Sequence, residues 1–229
     1  AGALNINALK LVPTAVAAGR AVLLESQKEN GVAVVEMGAA TTSVAIFMEG
    51  FLQYFGVINV GANHITNDIA ISLAVSTEVA EEIKMKYVTA ELIDNDKPMT
   101  MRFGDESISF TKTMVNQIVE DRLIDIFEHV KKEIAIAGYE KKLPEGVVLT
   151  GGGAEMRGIE RFAREHMEVA TRIGLPLMDV THIDNETKKP RFAVAIGLAL
   201  MMNDDMREQE TRVEEKPVGF LSKLFGGGR

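Results

Sequence analysis

The chain has 229 residues, 46% hydrophobic and 25% charged, with net charge −8 and no cysteine. That length suits one large domain or two small ones. The composition leaves no disulfide framework or thiolate metal site, its four scattered histidines lack zinc-site spacing, and its acidity argues against a phosphate-backbone surface, so no nucleic-acid partner is expected.

No run approaches the roughly 18 apolar residues of a spanning helix, and the N-terminus shows no basic region followed by a signal-peptide core. The chain starts at Ala1 in mid-pattern, and reads as part of a longer protein. Leu4 to Val12 alternates loosely, like a strand edge. Ala15 to Lys28 is rich in Ala and Leu and predicts one helix behind Pro13, closed at Gly31.

Val32 to Phe47 reads as two apolar strands joined by the small-residue turn Gly38–Thr42, and Phe51 to Val60 as a third strand. Asn63 or Thr66 can cap a helix reaching about Leu73. Ser76 opens a further helix with acids in its first turn. Glu91 to Asp105 is polar and predicts a loop or ragged hairpin, with a short strand at Ser107–Phe110. From Thr111 to Ala137 the apolar residues Val115, Val119, Leu123, Ile126, Phe127, Val130 and Ile134 recur at spacings of mostly three and four, an amphipathic helix.

The stretch Gly146–Gly158 is the chain's clearest signal. Val147 to Leu149 is a buried strand that runs into Thr150 and three glycines, with a helix expected from Met156 to His166. Glycine removes the Cβ that would hold a ligand away from the backbone, and the next helix's first amides favour an anion or polar ring edge. A short strand at Ala170–Ile173 and an apolar helix at Ala193–Met202 follow. Asn203 to Lys216 turns abruptly charged and predicts a flexible linker. These elements predict an α/β domain with an inserted lobe.

Two small-residue turns after buried strands can serve one cleft. Amides and hydroxyls at Gly38, Thr41 and Thr42 suit phosphates, and Gly151, Gly152 and Gly153 give a flat wall for a nucleoside. Glu81 and Lys84, one turn apart on a helix, can cover the base and ribose. Two tight turns and a solvated ion pair account for the same residues equally well.

The pattern resembles the actin-like (ribonuclease H-like) ATPase superfamily and, within it, the FtsA cell-division family. Gly31–Phe47 is similar to that family's second phosphate motif, Gly61–Ile71 to the segment after its third strand, Leu149–Gly158 to its adenosine motif and Pro190–Leu200 to its second connecting helix. The likeness runs from about Val12 to Met202. It implies the end of a first large domain at 1–30, a core subdomain at 31–73 and 144–202, an inserted α+β lobe at 74–143, a linker at 203–216 and a membrane-targeting helix at 217–229. The rest of the first large domain and the small extra domain of FtsA are not in the sequence.

By resemblance, Gly38, Thr41 and Thr42 face phosphates, Gly151–Gly153 line adenosine, and Glu81 with Lys84 reach the base or ribose, with ATP and Mg2+ as cofactors. Glu36 replaces the family's usual Asp and would act on magnesium only indirectly. Ala39 and Ala40 fill later glycine positions. These departures imply ATP binding weaker than the family norm and slow or absent hydrolysis, so no catalytic residue is assigned. Arg122, in Glu120-Asp-Arg122, stands where the family receives the C-terminal tail of FtsZ.

In the closing segment Val218, Phe220, Leu221, Leu224 and Phe225 recur at helical spacing with Lys216, Lys223 and Arg229. That suits a helix lying on an anionic membrane surface, or one docked on its own domain or on a partner. The resemblance favours the membrane. It implies a polymerising tether that attaches FtsZ filaments to the cytoplasmic face of the bacterial cell membrane at the division site. A PilM-like pilus-assembly adaptor is the alternative, and a sugar or acetate kinase-type enzyme a third.

Overall fold

The computed structural model describes residues 10–91, 97–104, 106–177 and 187–214. Helix α1 (Thr14–Val22) starts after Pro13, whose backbone is extended and whose carbonyl accepts from the amides of Val16 and Ala17. Leu23 then turns into the core, 4% exposed, while the Leu24 amide donates to Gln27 Oε1 and starts α2 (Glu25–Asn30). The single expected helix is therefore two, because the apolar Leu23 is buried from an extended backbone.

Strands β1 (Val32–Met37), β2 (Thr42–Met48) and β3 (Phe51–Ile58) form the expected antiparallel meander. Helix α3 (Ala62–Leu73) follows, and α4 (Thr77–Tyr87) begins at Ser76, whose Oγ accepts from the Val79 amide. Within the expected polar excursion, β4 (Pro98–Phe103) pairs antiparallel with β5 (Glu106–Thr111), its Met101 buried beside Ile108.

Helix α5 (Lys112–Ile136) starts at Thr111, whose Oγ1 accepts from the Met114 amide, and buries all seven of its periodic apolar residues, Val115 through Ile134. Each contributes on the order of 1.5–3 kcal/mol of burial. Next come β6 (Val147–Thr150), a 3-10 turn at Gly152–Glu155, helix α6 (Ile159–Met167) and β7 (Thr171–Ile173). Gly158, at φ 81°, separates that turn from α6, so the helix expected from Met156 starts only at Ile159.

The main sheet has the order β3-β2-β1-β6-β7, with β6 parallel to both β1 and β7. Its centre is buried on both faces, as parallel pairing under helices requires. Ala33, Val35 and Met37 of β1 enter the larger core with residues of α3, α4, α5 and α6. Val32 and Val34 face α1 in a smaller core.

Helix α7 (Ala193–Glu214) overturns the expected linker at 203–216, at least through Glu214. It lies against α1 with backbones touching: a Cβ at Gly197 would sit 1.7 Å from the Ala17 carbonyl oxygen. Beyond that crossing, Arg20 pairs with Asp204 and Lys10 with Asp205. Those partners hold the charged end of α7 in register on α1. The expected strand edge lies mostly, and the membrane-targeting residues Val218, Phe220, Leu221, Lys223, Leu224 and Phe225 wholly, outside the described residues.

Candidate functional site

The two turns open side by side, because β1 and β6 are parallel neighbours in which Glu36 is level with Thr150. The β1–β2 turn closes through the Gly38 amide, which donates to the Thr41 carbonyl at 2.9 Å. It docks on the start of α3, where the amides of Ala62 and Asn63 donate to the carbonyls of Gly38 and Ala39 at 2.9 and 2.8 Å. Gly61 makes that approach possible: a Cβ there would lie 2.7 Å from the Ala39 oxygen and 2.8 Å from the Gly38 oxygen. The Gly61 amide itself donates to His64 Nδ1 at 3.1 Å, so His64 caps α3 where Asn63 or Thr66 was expected.

The three glycines after β6 divide into two kinds. Gly151, at φ 89°, lies under the end of β1, where a Cβ would meet the Met37 oxygen at 2.5 Å. A Cβ on Gly153 would strike Met37 Sδ at 2.2 Å. Gly152 is exposed, and a Cβ there meets nothing within 4 Å. Two glycines thus pack the strand ends together, and Gly152 is the open wall.

Helix α4 supplies the opposite side. Lys84 Nζ lies 2.7 Å from Glu81 Oε2 and donates to Thr66 Oγ1 at 2.7 Å and to the Ala62 carbonyl at 3.2 Å. Burial works against ionisation of Glu81, but hydrogen bonds from Lys84 and Thr66 prevail and hold its carboxyl below the usual carboxylate value.

Between these walls is a cleft of about 410 Å³. Gly38, Glu81, Lys84, Gly152 and Gly153 all line it, so the structure brings together five of the residues singled out in the sequence. Thr41 and Gly151 lie outside its lining. Thr42 does not face it. That residue is fully buried, and its hydroxyl donates to the Val60 carbonyl at 2.8 Å, where it closes the β2–β3 end of the sheet.

Five cations line the cleft: Lys84, Lys86, Lys112, Arg157 and Arg191, against two carboxylates, Glu81 and Glu155. Among them only Lys84 and Glu81 were legible in the sequence. Arg191, on the 3-10 turn Pro190–Phe192, donates from Nε to Glu155 Oε1 at 2.7 Å, and its second fork nitrogen bonds Oε2. A glycine wall, apolar side chains at Met85, Val88 and Met156, and surplus positive charge suit a polyanion carrying a flat ring.

Glu36 sits behind the cleft, 7% exposed, with its Oε1 2.8 Å from the position of a Gly151 Cβ. Burial raises its pKa, offset in part by a hydrogen bond from Thr14. Among the described residues no group of three or more His, Asp or Glu side chains forms a metal site. This donor set does not make a magnesium site of its own. It fits only an ion carried in on phosphate oxygens and water.

Arg122 lines a separate surface hollow of about 370 Å³ with Asp68, Ile71, Ser72, Ile118 and Asp121. Its guanidinium grips Asp68 through Nε at 2.7 Å and Nη2 at 3.1 Å, and Asp125 through Nη1 at 2.7 Å. The Asp68 bond, then the Asp125 bond, raise its pKa. Arg122 therefore pins α5 to α3, rather than standing as a solvated arginine beside Glu120 and Asp121.

The family model described as "Cell division protein FtsA" matches residues 33–197. The chain belongs to the FtsA family. It is 34% identical to the cell division protein FtsA of Pseudomonas aeruginosa over 188 residues, covering 80% of this chain and 45% of that protein. It is 32% identical to the FtsA of Borreliella burgdorferi over 226 residues, covering 94% and 53%. The chain spans about half the length of the curated FtsA relatives it matches.

Its fold is that of the actin-like ATPases. MreB5 of Spiroplasma citri bound to ADP aligns with TM-score 0.67 at 18% identity, covering 86% of this FtsA-family chain and 60% of MreB5. The PilM–PilN type IV pilus biogenesis complex aligns with TM-score 0.64 at 20% identity, covering 84% and 52%.

Proposed function

We propose that this chain is part of a cell-division protein that tethers FtsZ filaments to the cytoplasmic membrane and assembles into actin-like polymers. ATP acts in it as an assembly and conformational ligand, with slow or absent hydrolysis. The observation that carries the nucleotide role is the cleft, where five cations gather in a chain of net charge −8. The ADP bound to MreB5 supports the same ligand class on this fold. Gly152 takes the nucleoside with Glu81 and Lys84 over the base or ribose, and the Gly38 turn takes the phosphates. Glu36, out of the lining, gives any magnesium an indirect contact at most.

Attachment rests on the family and on the basic, apolar segment 217–229. One short helix binds a membrane marginally, and a polymer that presents many such helices binds firmly. No helix among the described residues is long and apolar enough to cross a membrane, which fits peripheral attachment at the division site. The hollow at Arg122 receives the FtsZ tail.

Titration with a fluorescent ATP analogue tests the cleft. Saturable binding, competed by ATP and weakened at least about tenfold by Gly152→Val, is the expected result. Binding unaffected by that substitution contradicts this site. A PilM-like adaptor is the second reading, favoured by the PilM–PilN alignment at TM-score 0.64 and by Ala39 and Ala40 in the β1–β2 turn. It gives no account of the 217–229 segment.

A further inference from the structure

The cleft changes in chemistry along its length. At one end the Gly38 turn is docked on α3, and Lys84 reaches the Ala62 carbonyl beside it. Helix α4 then runs on for one turn before Val88 and Thr89 join the lining. The Thr89 amide donates to Asn116 Oδ1 at 3.4 Å, and the Ala90 amide to the Arg157 carbonyl at 2.8 Å. Lys112 lies one turn before Asn116 on the same face of α5. Lys112 and Arg157 therefore flank one short segment beyond Lys84, and both line the cleft there.

Neither of these two side chains has a hydrogen bond or ion pair among the described residues. The carboxylates of the lining are engaged instead: Glu81 accepts from Thr66 and pairs with Lys84, and Glu155 accepts from Arg191. Asn63, the one amide side chain of the lining, stands on the Gly38 side, where its backbone donates to Ala39. The far end of the cleft thus holds free donors, while its side-chain carboxylates are already taken.

Lysine and arginine donate and never accept. Adenine presents a donor, N6, beside its N7 acceptor, whereas guanine presents two acceptors, O6 and N7. We infer that Lys112 and Arg157 set the base preference of the cleft and favour guanine, so that it takes GTP at least as tightly as ATP. This rests on the nucleotide reading above and extends its ligand class.

The test is equilibrium dialysis of ATP, GTP and ITP against the full chain and its Lys112→Gln and Arg157→Gln variants. Wild type should bind GTP at least as tightly as ATP. ITP should follow GTP, because its base keeps O6 and N7 and lacks only the 2-amino group. Glutamine matches the N6 and N7 pair of adenine, so each variant should shift the preference about tenfold toward ATP. ATP bound more tightly than GTP by wild type, ITP bound far more weakly than GTP, or equal weakening of all three ligands in both variants overturns this inference alone. A wild-type chain that binds none of the three overturns the nucleotide reading, and this inference with it.

Discussion

The Lys84 ammonium lies 2.7 Å from Glu81 Oε2, yet only 9% of the lysine side chain is exposed against 46% of the glutamate's. A pair three residues apart on a helix would ordinarily be a solvated contact of a few tenths of a kcal/mol. Here the lysine runs inward and binds Thr66 and the Ala62 carbonyl of α3. It is a strut between two helices that also forms a wall of the cleft. Lys84→Met should therefore lower stability by about 1–3 kcal/mol, the usual cost of stranding buried polar partners. Urea unfolding measures it; a change below about 0.5 kcal/mol would return the pair to the surface class.

The carboxylates Glu81 and Glu36 respond to pH in opposite directions. Glu81 is held below its ordinary value of 4.5 in the folded chain. Its stabilisation is full above 4.5 and is lost as pH falls through the lower folded value. Glu36 is raised above 4.5 by burial, so its ionisation costs stability as pH climbs from 4.5 through the raised value. Glu36→Gln should raise Tm at pH 7 and lose that advantage below pH 4.5, whereas Glu81→Gln should lower Tm at pH 7. Melting curves across pH 3–8 check both signs.

The glycines separate packing from binding. Gly153→Ala meets Met37 Sδ at 2.2 Å, and Gly197→Ala meets the Ala17 carbonyl oxygen at 1.7 Å. Overpacking of this kind typically costs about 1–3 kcal/mol, and the backbone clash at Gly197 should reach the top of that range or pass it. Gly152→Ala meets nothing within 4 Å, so its stability should stay within about 0.5 kcal/mol of wild type. Calorimetric Tm values for the three variants give the order directly.

Arg122 is predicted to matter more to a partner than to the fold. Its side chain and that of Asp68 are each 27% exposed, so Arg122→Ala should cost at most about 1 kcal/mol of stability. Binding of an FtsZ C-terminal peptide should weaken about tenfold, because a guanidinium already oriented by two carboxylates is lost from the hollow. Fluorescence anisotropy with a labelled peptide reads the effect. Unchanged affinity would remove the hollow from the FtsZ site.

The periodic residues of α5 were legible because local spacing selects a buried face, and β1 and β2 because each is a short apolar run beside a small-residue turn. The charged end of α7 was not, because its helix is held by Arg20 and Lys10, more than 180 residues away in sequence. Charge next to an apolar helix looks like a linker until the opposing charges are placed. Thr42 was misread for a related reason: its hydroxyl turns to the Val60 carbonyl, just past the end of the neighbouring strand, and no local pattern shows that. The cations of the cleft come from α4, α5 and the turns at Arg157 and Arg191, and only the fold gathers them. The Gly152 wall was found because a run of glycines after a buried strand is a local signal. Which of the three glycines is open depends on Met37 of the adjacent strand.

Co-sedimentation of FtsZ with anionic lipid vesicles, using the full-length chain and a form ending before Pro217, tests the tether directly. FtsZ should pellet only with vesicles and only when residues 217–229 are present. If the chain reaches the vesicles and FtsZ stays in solution, the tether is contradicted.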